Sequence, residues 1–375
     1  MKAGVRRIAA PVGGPLRRAV IGTRTRAWPP HSRLFVAGDG WDWAIADDAR
    51  QISRVAEILG ARLGHESWVA CVRNQSLFHA SQFGLFGSDW RRERNRIGVA
   101  YLHGRPGTPG MPEFDVCYDE LRTRHHEIDR VQVSCRAMEE LALSTGIEAE
   151  KVFRIPIGID LEHFPSVDPE TRSARRQELG VPESAFVIGS FQKDGVGWGE
   201  GLEPKLIKGP DVLLDVLGRL RKPVPELAVV LTGPARGYVT AGLERLGIPY
   251  RHVSATDRES LAQVYRLLDA YLVASRDEGG PKAVLEAMAS GVPLVTTRVG
   301  QAADLVVHGE NGYLAEVEDA EALGTLLERV ATAPQADLER LLAKGRETAE
   351  QNSYDSLRPR WAELLSGFVA MNAPA

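Results

Sequence analysis

Short apolar runs alternate along the chain with longer stretches of helical spacing. Leu34–Ala37 is an apolar run ending at Gly38-Asp39-Gly40, and it predicts a buried strand. Ile45, Ile52, Val55, Leu59 and Leu63 then recur near one face of a helix. Ser67–Val72, Ile97–Leu102, Val131–Ser134 and Val152–Ile155 predict further strands, with a helix over Arg136–Thr145. The polar stretch Asp160–Pro182 holds Pro165, Pro169 and Pro182 and reads as a linker with a short helix. After it the alternation is cleaner. Strands are predicted over Phe186–Ser190, Leu227–Thr232, Tyr250–Val253, Ala270–Val273 and Pro293–Thr297. Helices are predicted over Pro210–Arg221, Tyr238–Leu246, Asp257–Leu268 and Pro281–Ser290. Asn311-Gly312 marks a tight turn, and helical stretches run from Asp319 to about Val369. Strands separated by helices imply βαβ units, so the expected class is α/β with two doubly wound halves.

In open parallel sheets, ligands bind beyond the carboxyl ends of the strands. Gly38–Gly40, His103, Gln192–Gly201, Gly233-Pro234 and Ser275–Lys282 are therefore the stretches where chemistry is expected.

Composition adjusts this picture in a few places. At 375 residues, 43% hydrophobic and 26% charged, the chain has the size and make-up of two soluble globular domains. No apolar run approaches the roughly 20 residues that span a bilayer. Cys71, Cys117 and Cys135 form no CxxC pair, which argues against a disulfide framework or zinc ribbon and for a reducing cytoplasm. The net charge of −4 is uneven: Met1–Arg33 holds eight basic residues and no acidic one, leaving −12 for the rest. An acidic body argues against nucleic acid as a partner. The start, with Arg6, Arg7, Arg17, Arg18, Arg24 and Arg26, suits peripheral contact with the inner face of an anionic membrane. Pro11, Gly13, Gly14 and Pro15 break any secretory signal. Residues 1–33 are expected to be a basic, disordered extension.

The most informative segment is Ser275-Arg-Asp-Glu-Gly-Gly-Pro-Lys-Ala-Val-Leu-Glu-Ala-Met-Ala-Ser-Gly291. Glu278 sits in a loop after a strand, Gly279 and Gly280 admit close backbone approach, and Pro281 suits the first position of a helix. The N–H groups at that helix start favour an anion such as phosphate. Glu278 and Glu286 could each take a pair of hydroxyls, one from a sugar and one from a ribose. Alternatively, Glu278 only caps the helix and Glu286 is a surface charge. Four of the eight lysines, Lys193, Lys205, Lys208 and Lys282, fall in these candidate segments of a chain with 38 arginines. Lysine is a compact point charge where arginine is a planar fork, which suggests a selected role, although a solvated face would also accept it.

Asp277-Glu278-Gly-Gly-Pro-Lys-Ala-Val-Leu-Glu286-Ala-Met-Ala-Ser-Gly-Val-Pro-Leu-Val295 resembles the E-x7-E signature of the retaining glycosyltransferases of family 4. The resemblance extends through Val299-Gly300, Val306–Leu314, Val131–Leu141 and Lys151–Asp160, and so covers about 130–330 strongly. It implies the GT-B architecture: two facing Rossmann-like domains with an interdomain cleft. The expected layout is an acceptor domain over 34–157, a nucleotide-sugar domain over 158–352, and a C-terminal helix over 353–375 crossing back to the first. The resemblance places Glu278 beside the donor sugar and Glu286 at the nucleotide ribose. It places the Gly279, Gly280, Pro281 and Lys282 backbone at the sugar and diphosphate. Lys193 and the Lys208-Gly209 pair fit the family's basic positions that neutralise the diphosphate. His103, after Ile97–Leu102, matches a family histidine near donor sugar and acceptor; otherwise it is a structural loop histidine. Gly40 matches the first-domain glycine loop, although the family's double glycine is absent. Trp41 and Trp43 are candidate acceptor-stacking residues, or core.

The implied activity is metal-independent, retaining transfer of a sugar from a nucleotide-diphosphate sugar to an unidentified hydroxyl acceptor, with no other cofactor. No D-x-D or HExxH motif is present, and adjacent His125 and His126 would point apart on a helix. Two other readings stay open: a non-catalytic sugar-nucleotide- or carbohydrate-binding partner subunit, and a sugar-nucleotide epimerase or hydrolase on the same architecture. Asp194–Gly201, with glycine at every second position, fits neither G-x-G-x-x-G nor a P-loop. It reads as a mobile flap over donor or acceptor, or as a disordered surface loop.

Overall fold

The computed structural model describes residues 15–38, 44–86, 94–166 and 169–372. The chain divides into two compact units, Met1–Ile157 with Tyr354–Ala375, and Gly158–Ser353.

The first unit begins with α1 (Pro15–Ala27), then β1 (Leu34–Ala37), α2 (Ala44–Ile58), β2 (Ser76–His79), β3 (Arg96–Ala100), α3 (Pro112–Arg124), β4 (Arg130–Val133), α4 (Arg136–Leu143) and β5 (Val152–Arg154). All five strands are parallel and pair in chain order, β1-β2-β3-β4-β5. Apolar side chains point to both sides of this sheet, as a parallel sheet covered on both faces requires. One strand expectation fails here. Ser67–Val72 is no strand: Glu66–Cys71 is a 3-10 turn, opened by His65 Nδ1 accepting from the Ser67 N–H. The true strand follows at Ser76–His79, buried at every position. Both stretches are short apolar runs, and pattern alone does not say which one finds a neighbour to pair with.

The expectation of a disordered extension is also corrected for residues 15–33. Helix α1 buries Ile21 and Thr25, and the Thr25 hydroxyl accepts from Arg73 N–H at 3.1 Å. Trp28 stacks on Trp68 with ring centres 5.9 Å apart, Arg33 covers Trp28, and Arg24 covers Trp68. Arg24, one of the arginines assigned to a membrane surface, thus has an aromatic partner within the fold. Residues 1–14 lie outside the described residues.

The second unit comprises α5 (Pro169–Glu178), β6 (Phe186–Ser190), α6 (Pro210–Leu220), β7 (Leu227–Leu231), α7 (Gly237–Leu246), β8 (Tyr250–His252), α8 (Arg258–Tyr265), β9 (Ala270–Val273), α9 (Ala283–Ala289), β10 (Leu294–Thr297), α10 (Gly300–Leu305), β11 (Tyr313–Ala315), α11 (Ala320–Thr332) and α12 (Gln335–Gln351). Its six strands are parallel in the order β11-β10-β9-β6-β7-β8. Counted along the chain within the unit and read from the β8 edge, this is 3-2-1-4-5-6, the dinucleotide-binding order. Its direction reverses between β6 and β9, and ligands bind at such a reversal. Amphipathic helices cover the sheet; α6, for example, buries Val212, Leu213, Val216, Leu217 and Leu220 on one face.

The chain then returns to the first unit as α13 (Arg358–Leu365). Trp361, Leu364, Leu365 and Phe368 are buried in one cluster with Leu34, Val36, Phe78 and Ile155. Arg130 donates to Leu364 O at 2.9 Å and Ser366 O at 2.8 Å, and Ser76 Oγ donates to Phe368 O.

Candidate functional site

The carboxyl ends of β6 and β9 flank the reversal, and the predicted lysine and glutamate residues gather there. Lys208 Nζ lies 2.9 Å from Glu278 Oε2. On the other side of that carboxylate, Ser275 Oγ is 2.6 Å from Oε1 and 3.1 Å from Gln192 Oε1. Gln192 Nε2 in turn donates to Lys208 O at 2.7 Å. Burial pushes the Glu278 carboxyl up, but Lys208, the Ser275 hydroxyl and Lys205 together outweigh it and hold it below its ordinary value. Glu278 is therefore a held carboxylate, ionised at neutral pH, with Lys208 as its counter-ion. Lys193, next in sequence to Gln192, has its ammonium 4.1 Å from the Trp198 ring centre, and burial lowers its affinity for the proton.

The local sequence explains why Lys208 reaches Glu278. Leu206–Lys208 is a 3-10 turn that ends in left-handed Gly209, φ 62°. A Cβ at Gly209 would fall 1.9 Å from Ala274 O, so only glycine lets this turn seat against the end of β9. Pro210 then starts α6. Across the seam, Ile207 O accepts from Arg276 N–H at 2.8 Å. Arg276 makes a bidentate pair with Asp211, both contacts 2.7 Å, and also meets Glu318 at 2.6 Å. These partners raise its proton affinity further. The turn bearing Lys208 and the loop bearing Glu278 are thereby fastened to each other.

Glu286 is buried on α9, which removes the surface-charge alternative, and Tyr265 donates to its Oε2 at 3.0 Å. The Tyr265 ring packs against Phe191, just beyond β6, at 4.8 Å. Glu278 caps nothing: the residue preceding α9 is Lys282, with no side-chain cap bond. The Gly279–Pro281 backbone is held from behind by α10. Gln301 N–H donates to Gly279 O at 3.0 Å, and left-handed Gly300 has Glu278 O and Gly279 O each 2.3 Å from where a Cβ would stand.

The Gly-rich stretch 194–201 is anchored at its base. Asp194 and Arg236 are both buried, with Nη2 and Oδ2 3.0 Å apart, and Gly195 bridges Pro204. Sequence reasoning missed that pair, the Arg276–Asp211 clamp, Ser275 with Gln192, and Tyr265. Ser275 and Gln192 lay in stretches marked for inspection. Arg236 and Tyr265 have no motif and meet their partners only through the fold.

His103 belongs to the first unit, beyond β3. Its N–H donates to Gln82 Oε1 and its C=O accepts from Gln82 Nε2, both at 2.8 Å, and its ring stacks on Phe83 at 5.0 Å. Its backbone is thus fixed by one side-chain amide. Gly40, Trp41 and Trp43 lie outside the described residues. Among the described residues, no three His, Cys, Asp or Glu side chains come together to hold a metal ion. No helix among the described residues is long and apolar enough to cross a membrane.

A family model described as "Glycosyl transferases group 1" matches residues 200–332. The D-inositol 3-phosphate glycosyltransferase of Saccharomonospora viridis is 31% identical over 321 residues, covering 77% of this chain and 70% of that one. The enzyme of the same name from Jonesia denitrificans is 31% identical over 230 residues, and that match spans 51% of its length. Among solved structures, Anabaena Alr3699/HepE in complex with UDP and glucose superposes with a TM-score of 0.70 at 18% identity, over 90% of this chain and 99% of that one. With the strand order and the E-x7-E residues in place, these matches establish that the chain belongs to the family 4 glycosyltransferases and has their GT-B fold.

Proposed function

We propose that this protein is a retaining glycosyltransferase that moves a sugar from a nucleotide-diphosphate donor to a hydroxyl acceptor without a metal ion. The observation behind the reading is the Lys208–Glu278 pair at the reversal of a dinucleotide-type sheet, with the Gly279–Lys282 backbone following Glu278 directly. In this reading Glu286, held by Tyr265, takes the ribose hydroxyls. Lys193 and Lys208 meet the diphosphate, and Glu278 orients the donor sugar. Gly40 joins them as a diphosphate contact on the strength of the family resemblance.

The chemistry follows from where charge develops. As the bond from the anomeric carbon to the phosphate oxygen breaks, negative charge grows on the leaving diphosphate. Fixed lysine ammonium groups stabilise that charge more than the ground state, which is electrostatic catalysis. A departing phosphate oxygen takes the acceptor hydroxyl's proton while the new carbon–oxygen bond forms on the same face. His103 of the first unit is assigned to donor sugar and acceptor. D-inositol 3-phosphate, which appears in the relatives' names, is the first acceptor to try.

The test is calorimetry with EDTA present, using UDP, GDP, ADP, CMP and NAD against the wild type and Glu286→Ala. One nucleoside diphosphate should bind, and the variant should lose it. Turnover of the matching sugar nucleotide should then require an acceptor. Binding of none would overturn the reading and favour a partner subunit; consumption without acceptor would favour an epimerase or hydrolase.

A further inference from the structure

Residues 194–204 form an arm that the proposed chemistry does not use. Gly195 and Pro204 pair across its base, and Val196 N–H donates to Glu203 O at 2.9 Å. Its far side is tied to the start of α7, where Gly237 and Tyr238 N–H donate to Glu200 O at 2.7 Å and Gly201 O at 2.9 Å. At its root is the buried Asp194–Arg236 ion pair. The same guanidinium donates to Ser190 O at 2.7 Å and Thr232 O at 2.8 Å, at the carboxyl ends of β6 and β7. Burial pushes the Asp194 carboxyl up, with Arg236 opposing that rise.

Two buried charges are a costly way to hold a loop, and apolar side chains of similar volume often do it as well. What the pair adds is direction. Asp194 directly follows Lys193. Its carbonyl accepts from Lys205 N–H at 2.7 Å, and Lys205 O accepts from Lys208 N–H at 2.8 Å. Lys208 then reaches Glu278, while the arm brings Trp198 over the Lys193 ammonium. One ion pair anchored to two strand ends is thus linked through backbone to three lysines.

We propose that Asp194 and Arg236 are positioning residues that aim Lys193, Lys205 and Lys208 together at the donor diphosphate, and that Lys205 is a further contact to it. This rests on the donor site proposed above.

The experiment compares Asp194→Asn and Arg236→Lys with wild type. Each is titrated with the nucleoside diphosphate that wild type binds and with the matching monophosphate. The expected result is a diphosphate affinity lowered by about tenfold or more, with the monophosphate changed by less than about threefold. The salt dependence of diphosphate binding should become shallower as lysines leave the site. A purely structural role would weaken both nucleotides alike or neither. Trp198 is the sole tryptophan of residues 158–353, so its emission, taken by difference from Trp198→Phe, reports arm displacement. Where Asp194→Asn does not fold, Arg236→Lys, which keeps the charge and loses the fork, decides. The proposal is overturned if folded variants keep the diphosphate-to-monophosphate ratio within about twofold of wild type. If wild type binds no nucleoside diphosphate, the donor site itself fails. If Glu286→Ala abolishes binding while Asp194→Asn keeps the ratio, only the positioning role fails.

Discussion

Replacing Lys208 by methionine removes an ammonium but little volume, and its effect should depend on pH in a defined way. At the observed 2.9 Å, an effective dielectric of about 20 gives roughly 6 kcal/mol of attraction to Glu278. Desolvation of both groups offsets much of this. Breaking a buried pair from one side costs about 3–5 kcal/mol. The two side chains keep 24% and 12% of their exposure, and the Ser275 hydroxyl remains in place. Solvent screening lowers the expected cost to about 2–3 kcal/mol near pH 7. In wild type the Glu278 carboxyl is held below its ordinary value, against burial, by Lys208, Ser275 and Lys205. Its contribution to stability is complete above the unfolded value of about 4.5 and is lost as pH falls through the folded value. In the variant, burial has lost its main opponent and raises the carboxyl, so the sign reverses and stability falls as pH rises through it. The gap between the two proteins should be widest near pH 7 and narrow as pH falls toward the folded value of the wild-type carboxyl. Urea titrations at about pH 7, 5.5 and 4, read by pulse proteolysis of the second unit, measure it. A gap equal at all three pH values, or under about 0.5 kcal/mol near neutrality, would refute the assigned pairing.

Gly300→Ala should drive a methyl into Glu278 O and Gly279 O, each 2.3 Å away, at a backbone φ of 46°. Denaturation should show a loss of about 1–3 kcal/mol, and calorimetry a matching fall in diphosphate affinity. His79 is buried and its proton affinity is pushed down to about 4, so the unfolded chain takes its proton first as pH drops from about 6.5. Stability of the first unit should decline through that window by up to about 3 kcal/mol, a slope that His79→Leu flattens in pH-dependent urea melts. Removing residues 354–375 takes Trp361, Leu364 and Phe368 out of the first unit's core. Amide exchange should show β1–β5 unprotected while β6, β7 and β9 stay protected; intact protection of β1–β5 would mean that α13 is dispensable.

Periodicity and glycine–proline punctuation made much of the second unit legible: Leu227–Leu231 is apolar throughout because both faces are covered, and Pro210 opens its helix. The E-x7-E spacing and Lys208-Gly209 marked the site through their resemblance to the family 4 glycosyltransferases. Pattern could not choose between Ser67–Val72 and Ser76–His79, since a strand exists only where a neighbour pairs with it. It also could not show that residues 15–33 are held by the Trp28–Trp68 stack. The tertiary structure decided that Lys208 and Glu278, 70 residues apart, meet at a strand-order reversal. It likewise decided that Arg276 with Asp211, and Arg236 with Asp194, are what hold those groups in place. Residue types and local spacing encode which chemistry is available. Long-range pairing leaves no local signature, because its energy is released only when the sheet has formed.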